Sequence, residues 1–201
     1  MKKVLIIDYK MGNVASVQKA FQKIGAGVLI SNKKIDINQS EYLVLPGVGA
    51  FGDGIKNLVA LSLVEIIEKK VFHDKIPFLG ICLGMQLLAQ KGYEFGTHQG
   101  LGWIDGRVIK MEVPKNIRLP HIGWNNIEAK EDVLLQNILD SNFYFDHSYH
   151  LQCEDPSMVV AQCNYGIPFT AAIHKDNIFG TQFHPEKSQN SGLQVLKNFI
   201  S

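Results

Sequence analysis

Apolar positions in the first ninety residues follow two periods in alternation. "KVLIID", in the Lys2–Asp8 region, is β-branched and leucine-rich with no polar alternation, the pattern of a strand buried on both faces. "GNVASVQKAFQKIG" follows, with Val14, Val17, Ala20, Phe21 and Ile24 at helical spacing, and Gly25 and Gly27 stop it. "GVLIS" predicts a second strand and "YLVLPGVG" a third that ends at Pro46. "GIKNLVALSLVEIIEKKVF" predicts one long amphipathic helix. "IPFLGI" predicts a fourth strand, and "CLGMQLLAQKG" a helix capped by Gly92. Strands alternating with helices at short intervals predict a parallel sheet covered on both faces.

The pattern changes after this point. "LGWIDGRVIKM", "LPHIGWNNIEA", "NFYFDHSYHLQ", "MVVAQCNYG" and "FTAAIHKDNIFGTQF" read as strands with turn punctuation. "EDVLLQNILD" predicts a short helix and "GLQVLKNFI" a C-terminal one. No low-complexity tract, repeat or linker-like shift divides the chain, so residues 1–201 are expected to form one domain.

Composition narrows the function class. With 201 residues, 46% hydrophobic, the chain is long enough for a sizeable core. A formal net charge of +1 supplies no electrostatic footprint for nucleic acid or an anionic membrane. "MKKVLIIDYKMGN" has too short an apolar stretch for a signal peptide, and no run approaches the roughly 18 apolar residues of a membrane span. The three cysteines, Cys82, Cys153 and Cys163, form neither a disulfide framework nor a zinc spacing, so a reduced cytoplasmic setting is expected.

Three segments carry candidate chemistry. Gly80-Ile81-Cys82-Leu83-Gly84 lies between a predicted strand and a predicted helix, the layout of a nucleophile elbow. The turn lifts Cys82 above the carboxyl edge of the sheet. There the start of a helix favours thiolate, and the Leu83 N–H can face a developing oxyanion. Equally, Cys82 can be a small core residue beside a tight turn. A cysteine nucleophile needs a base. Of seven histidines, His184 stands apart, because an apolar strand runs directly into His184-Pro185-Glu186. Residues i and i+2 of an extended segment share a side, and Pro185 biases His184 toward an extended backbone. Glu186 can therefore orient the imidazole, or it can be a solvated charge at a strand end. His147 and His150 form an HxxH pair without a third ligand nearby, and no metal is expected. "LPGVGAFGDG" places four glycines within eight residues near the same sheet edge. It lacks the Lys-Ser/Thr of a phosphate loop, and an oxyanion strand and an ordinary strand–helix loop remain as alternatives.

Taken together, "PGVGAFGDG", "GICLGMQLL" and "GTQFHPEKS" resemble the class I, triad-type glutamine amidotransferases over essentially the whole chain. Within that family, "YKMGNVASV", "LPHIGWN", "FYFDHSYH" and "HPEKS" resemble most the glutaminase subunits of imidazole glycerol phosphate synthases. The resemblance implies a flavodoxin-like, mostly parallel α/β sheet with an additional antiparallel sheet. It also implies no cofactor, and a Cys82–His184–Glu186 triad that hydrolyses L-glutamine through a γ-glutamyl thioester. Oxyanion donors would come from Leu83 and the Val48–Gly49 peptide. Gly47, Gln86, Ser148 and Tyr149 would hold the glutamine, with Ser148 standing where typical members have threonine. Ammonia would pass through an internal channel to a (β/α)₈-barrel cyclase in a heterodimer. Asn13, Pro120, His121, Gly123, Trp124, Asn125, Lys187 and Ser188 are the interface candidates. The alternatives are a paralogous subunit feeding another synthase, such as one that amidinates a surface sugar, and a solitary cysteine hydrolase that needs no partner.

Overall fold

The computed structural model describes residues 2–201. Its first half alternates as the sequence predicts: β1 (Lys3–Ile7), α1 (Val14–Lys23), β2 (Gly27–Ser31), α2 (Lys34–Asn38), β3 (Tyr42–Gly47), α3 (Phe51–Ala60), α4 (Val64–Glu68), β4 (Phe78–Cys82) and α5 (Leu83–Gln86). Then come β5 (Ala89–Gly92), β6 (His98–Gln99), β7 (Ile104–Lys110), β8 (His121–Ala129), β9 (Asn142–His147), β10 (Tyr149–Cys153), β11 (Val159–Asn164), β12 (Pro168–Lys175), β13 (Ile178–Thr181) and α6 (Gln189–Phe199).

The large sheet has the order β2-β1-β3-β4-β13-β12-β11-β8-β9. Its first five strands are parallel, with β13 in the fifth place of a flavodoxin-like order. The remaining strands continue antiparallel. A second sheet, β10-β7-β5-β6, is mixed rather than purely antiparallel, because β5 runs parallel to β7. Strand periodicity divides the core between the faces of the large sheet. Val4, Ile6, Val44 and Leu79 pack with α1 and α6. Their neighbours Leu5, Ile7, Leu43 and Phe78 pack with α3, α4 and the second sheet.

Four expectations are corrected. The long helix over 54–72 is interrupted at Ser62, which has φ 51°. There Leu63 N–H donates to Leu58 O (3.0 Å) and Ser62 N–H to Val59 O (2.9 Å), the paired bonds of a Schellman cap. Leu58, Leu63, Ile67 and Val71 are all buried, so apolar periodicity runs through the break and conceals it. The helix expected to end at Gly92 stops at Gln86, and Ala89–Gly92 forms β5. The run 142–152 is two strands parted at Ser148, one in each sheet. "EDVLLQNILD" contributes only a 3₁₀ turn at Val133–Leu135.

The turn after β4 tolerates nothing larger than glycine. A Cβ on Gly84 would collide with the Leu45 carbonyl oxygen of β3, and one on Gly80 would approach the Gly84 backbone to 2.7 Å. Gly84→Ala is therefore expected to destabilise the chain by about 1–3 kcal/mol, the usual cost of overpacking. An unchanged urea midpoint would contradict this packing.

Candidate active site

Cys82 ends β4 with φ 53° and ψ −109°. A residue with a Cβ held there costs on the order of 1–3 kcal/mol and persists only where its surroundings enforce it. The enforcing contacts are the fully buried β4, its pairing with β3 up to the Gly47–Cys82 register, and α5 pressed against β3. This is the elbow expected from the glycine spacing. The following helix is only four residues long, so its dipole contributes less than the sequence suggested.

His184 follows β13 in extended backbone, and Pro185 opens a 3₁₀ turn, Pro185–Lys187. The His184 Nδ1 and Glu186 Oε1 atoms are 2.8 Å apart, and both side chains are almost fully buried. Two bonds tie this turn to β9. His184 N–H donates to Tyr144 O at 2.9 Å, and Ser188 Oγ accepts from Tyr144 N–H at 3.0 Å. Ser188 also donates to His184 O at 2.6 Å. Glu186 thus occupies Nδ1 and leaves Nε2 for Cys82. Burial works against charge on this ring. Proximity to Cys82 and the hydrogen bond and charge of the Glu186 carboxylate outweigh burial and raise the His184 pKa to about 10. Burial instead pushes Cys153 up to about 11 and Cys163 up to about 12, which makes both poor nucleophiles at neutral pH.

A cleft of about 140 Å³ opens beside Cys82. This is well below the roughly 300–1,000 Å³ of drug-sized sites and suits a substrate of amino-acid size. Val48, Gly49, Leu83, Gln86, Ser148 and Tyr149 line it. Gly47 faces an adjoining cavity with Val48, His184, Glu186, Asn13 and Lys187. Gln86 Nε2 donates to Tyr149 O (2.8 Å) and Gln182 Oε1 (3.0 Å). Both N–H groups are used, so Gln86 offers a ligand only its oxygen.

The sequence did not single out four residues at the site. Glu94 lines the cleft and accepts from Phe51 N–H at the start of α3 (2.8 Å). Asp146 places its carbonyl 3.9 Å from Cys82 Sγ. Gln182 donates to the same sulfur at 3.5 Å. The buried Tyr9 hydroxyl has no partner among the described residues and lies where a Cβ on Gly47 would be. Only Gln182 carried a signal, its place two residues before His184 in "GTQFHPE".

The interface candidates divide by exposure. Pro120 and Trp124 are exposed, and Gly123, Asn125 and Lys187 are half-buried. Lys187 Nζ sits 5.1 Å from the Tyr144 ring centre, and Trp124 packs edge-on to the same ring. Asn13 caps α1 by accepting from Ser16 N–H at 3.2 Å. His121 and Ser188 are corrected, since both are buried and cannot present a side chain to a partner. His121 stacks on Tyr165 and Phe145 and lies 3.3 Å from His147 Nε2. Burial holds His121 down to about 4. His147 is held down to about 3, chiefly by burial with some repulsion from neighbouring imidazoles. Among the described residues no group of three or more His, Cys, Asp or Glu side chains is arranged to hold a metal ion. Among the same residues no helix is long and apolar enough to cross a membrane.

Comparison with known proteins agrees with this geometry. The family described as glutamine amidotransferase class-I matches residues 5–201. Imidazole glycerol phosphate synthase subunit HisH 1 of Campylobacter jejuni is 49% identical, with 98% of each chain covered. Imidazole glycerol phosphate synthase subunit HisH of Aquifex aeolicus is 47% identical over 98% of this chain and 95% of its own. Among solved structures, a glutamine amidotransferase superposes with TM-score 0.78 at 16% identity, covering 98% of this chain and 96% of that one. PurLQS from Thermotoga maritima superposes with TM-score 0.75 at 17% identity, covering 99% and 97%. At such identities the solved structures speak for the fold alone.

The neutral buried histidines set an acid limit. Their folded-state values lie below the ordinary ~6.5, so the unfolded chain takes up these protons first. Stability is complete above about pH 6.5 and is lost as pH falls toward about 4 for His121 and about 3 for His147. The drop in urea midpoint between pH 7 and 4.5 should be smaller in His121→Gln than in the parent chain. An equal drop would remove His121 from this account.

Proposed function

Because the chain belongs to the class I glutamine amidotransferases, we propose that it is the glutaminase subunit of an imidazole glycerol phosphate synthase and serves histidine biosynthesis in the cytoplasm. In this reading residues 1–201 act as one amidotransferase unit. The observation that carries the chemistry is a cysteine held in left-handed backbone beside a buried His184–Glu186 pair. The choice of synthase is supported by relatives 47–49% identical over 98% of the chain.

The cycle follows from these positions. Cys82 Sγ attacks the side-chain carbonyl carbon of glutamine. Charge develops on the amide oxygen, facing the Leu83 N–H and the N–H of the Val48–Gly49 peptide. The tetrahedral adduct collapses as the His184 imidazolium protonates the leaving nitrogen. Ammonia departs and a γ-glutamyl thioester remains. Water, deprotonated by His184, then attacks the thioester, and glutamate leaves with the sulfur restored. Glu186 keeps the imidazole oriented throughout. Gln86 accepts an N–H of the substrate, and Ser148 and Tyr149 complete the opposite wall.

Ammonia passes to the partner, a (β/α)₈-barrel cyclase joined in a heterodimer. The exposed Ile122 and Trp124, with Lys187 over Tyr144, form a surface beside the His184 turn that suits such docking. Gly49 has φ +104° and Val48 is exposed, so the peptide between them has room to rotate. Loss of one oxyanion donor costs ~2.7–4 kcal/mol, a gate of roughly 100- to 1000-fold that partner binding would set. A second reading keeps the chemistry and changes the acceptor. Relatives numbered 1 and 2 in Campylobacter jejuni and Pseudomonas aeruginosa are compatible with duplicated subunits.

Cys82→Ala is expected to abolish glutamine-dependent synthesis while free ammonia still supports the partner. Normal glutamine-dependent turnover in that variant would refute the reading. Glutaminase turnover should rise by two to three orders of magnitude when the partner is added. Equal rates with and without it would eliminate the gate. Capture of the native partner separates a histidine-pathway cyclase from another synthase.

A further inference from the structure

The triad and the cleft leave the buried Gln182, which touches the Cys82 sulfur, without a role. Gln182 is completely buried, yet a leucine or methionine would fill its volume without bringing an amide out of water. Both ends of its amide are engaged. Its Oε1 accepts from Gln86 Nε2 at 3.0 Å, and its Nε2 donates to Cys82 Sγ at 3.5 Å.

The orientation of this chain follows from a single carbonyl. Tyr149 O can only accept. It receives Gln86 Nε2 at 2.8 Å and lies 2.9 Å from His147 Nδ1, which must therefore carry its proton there. The nitrogen of Gln86 is thereby turned toward Tyr149, and its second N–H meets Gln182. An oxygen of Gln182 must face that N–H, so its nitrogen faces the sulfur. A carboxylate at 182 would put an acceptor against the sulfur, and an alkyl chain would leave a Gln86 N–H without a partner. An amide of this length accepts at one end and donates at the other.

We propose that Gln182 is a further active-site residue, whose N–H donates to the Cys82 sulfur while its carbonyl locks Gln86 with only the oxygen facing the glutamine cleft. The donor aims the sulfur and stabilises negative charge on it. The lock gives the cleft a fixed acceptor for the substrate. The proposal rests on the Cys82–His184–Glu186 reading and assigns a separate function within it.

The test uses the full chain and two variants, Gln182→Met and Gln86→Met. Alkylation of Cys82 by iodoacetamide at fixed pH reads the sulfur without requiring glutamine. The KM for glutamine, measured in the complex with the partner, reads the lock. Gln182→Met should slow alkylation by about three- to tenfold, the worth of one hydrogen bond, and should raise KM by a similar factor. Gln86→Met, which removes the N–H that orients Gln182 as well as the acceptor in the cleft, should raise KM and slow alkylation by no more than Gln182→Met does. Parent-like alkylation in a natively folded Gln182→Met chain overturns the proposal, as does a parent-like KM in both variants. If Gln182→Met does not fold, the side-chain amide resonance of Gln182 in the parent chain decides. It must move on alkylation of Cys82 and in Cys82→Ala, and a resonance unmoved by either overturns the proposal. Failure of the triad itself would appear separately, as glutamine turnover that survives Cys82→Ala.

Discussion

The contact between the Gly84 backbone and the Leu45 carbonyl of β3 is the constraint on which the site depends. It leaves no room for a side chain, so the chain leaving β4 must turn over the sheet at once. The turn forces Cys82 into left-handed backbone, and the rest of the parallel sheet holds it there. A buried strand makes such strain affordable, because the sheet cannot relax without losing β3–β4 pairing and the apolar packing on both of its faces. The position of Cys82 is therefore a property of the core, and the same pairing brings Gly47 level with Cys82 and starts the Val48–Gly49 loop beside it.

Electrostatics at the site depends on which buried imidazole has a charged neighbour. His184 and His147 are both deeply buried, and burial disfavours charge on each. His184 meets Glu186 and Cys82 and holds a proton. His147 meets a backbone carbonyl and another imidazole and stays neutral. One ring is thereby protonated and paired with a carboxylate, while the other serves as a directional hydrogen-bonding strut.

The sequence revealed those parts of the fold and site whose physics is local. β1, β3 and β4 were legible because burial on both faces removes polar residues from them. Cys82 stood out through Gly80 and Gly84, and His184 through Pro185 and Glu186, all within a few residues. The break at Ser62 was not legible, since its caps are backbone bonds and the apolar period continues across it. The end of α5 at Gln86 was hidden because a short apolar run suits helix and strand alike. Contacts between distant residues left no pattern to read. Glu94 reaches back to α3 across 43 positions, and His121 looked like surface until Tyr165 and Phe145 were found stacked against it.

The turn that carries His184 also closes an open margin. β9 is the last strand of the large sheet, and an unpaired margin invites pairing with other chains. At Tyr144 both outward backbone groups are taken, the carbonyl by His184 and the amide by Ser188. The segment that carries His184 thus blunts the sheet against self-association. A lesion at Ser188 would expose a sticky edge as well as loosen the histidine, so solubility and the placing of His184 share a single fastening.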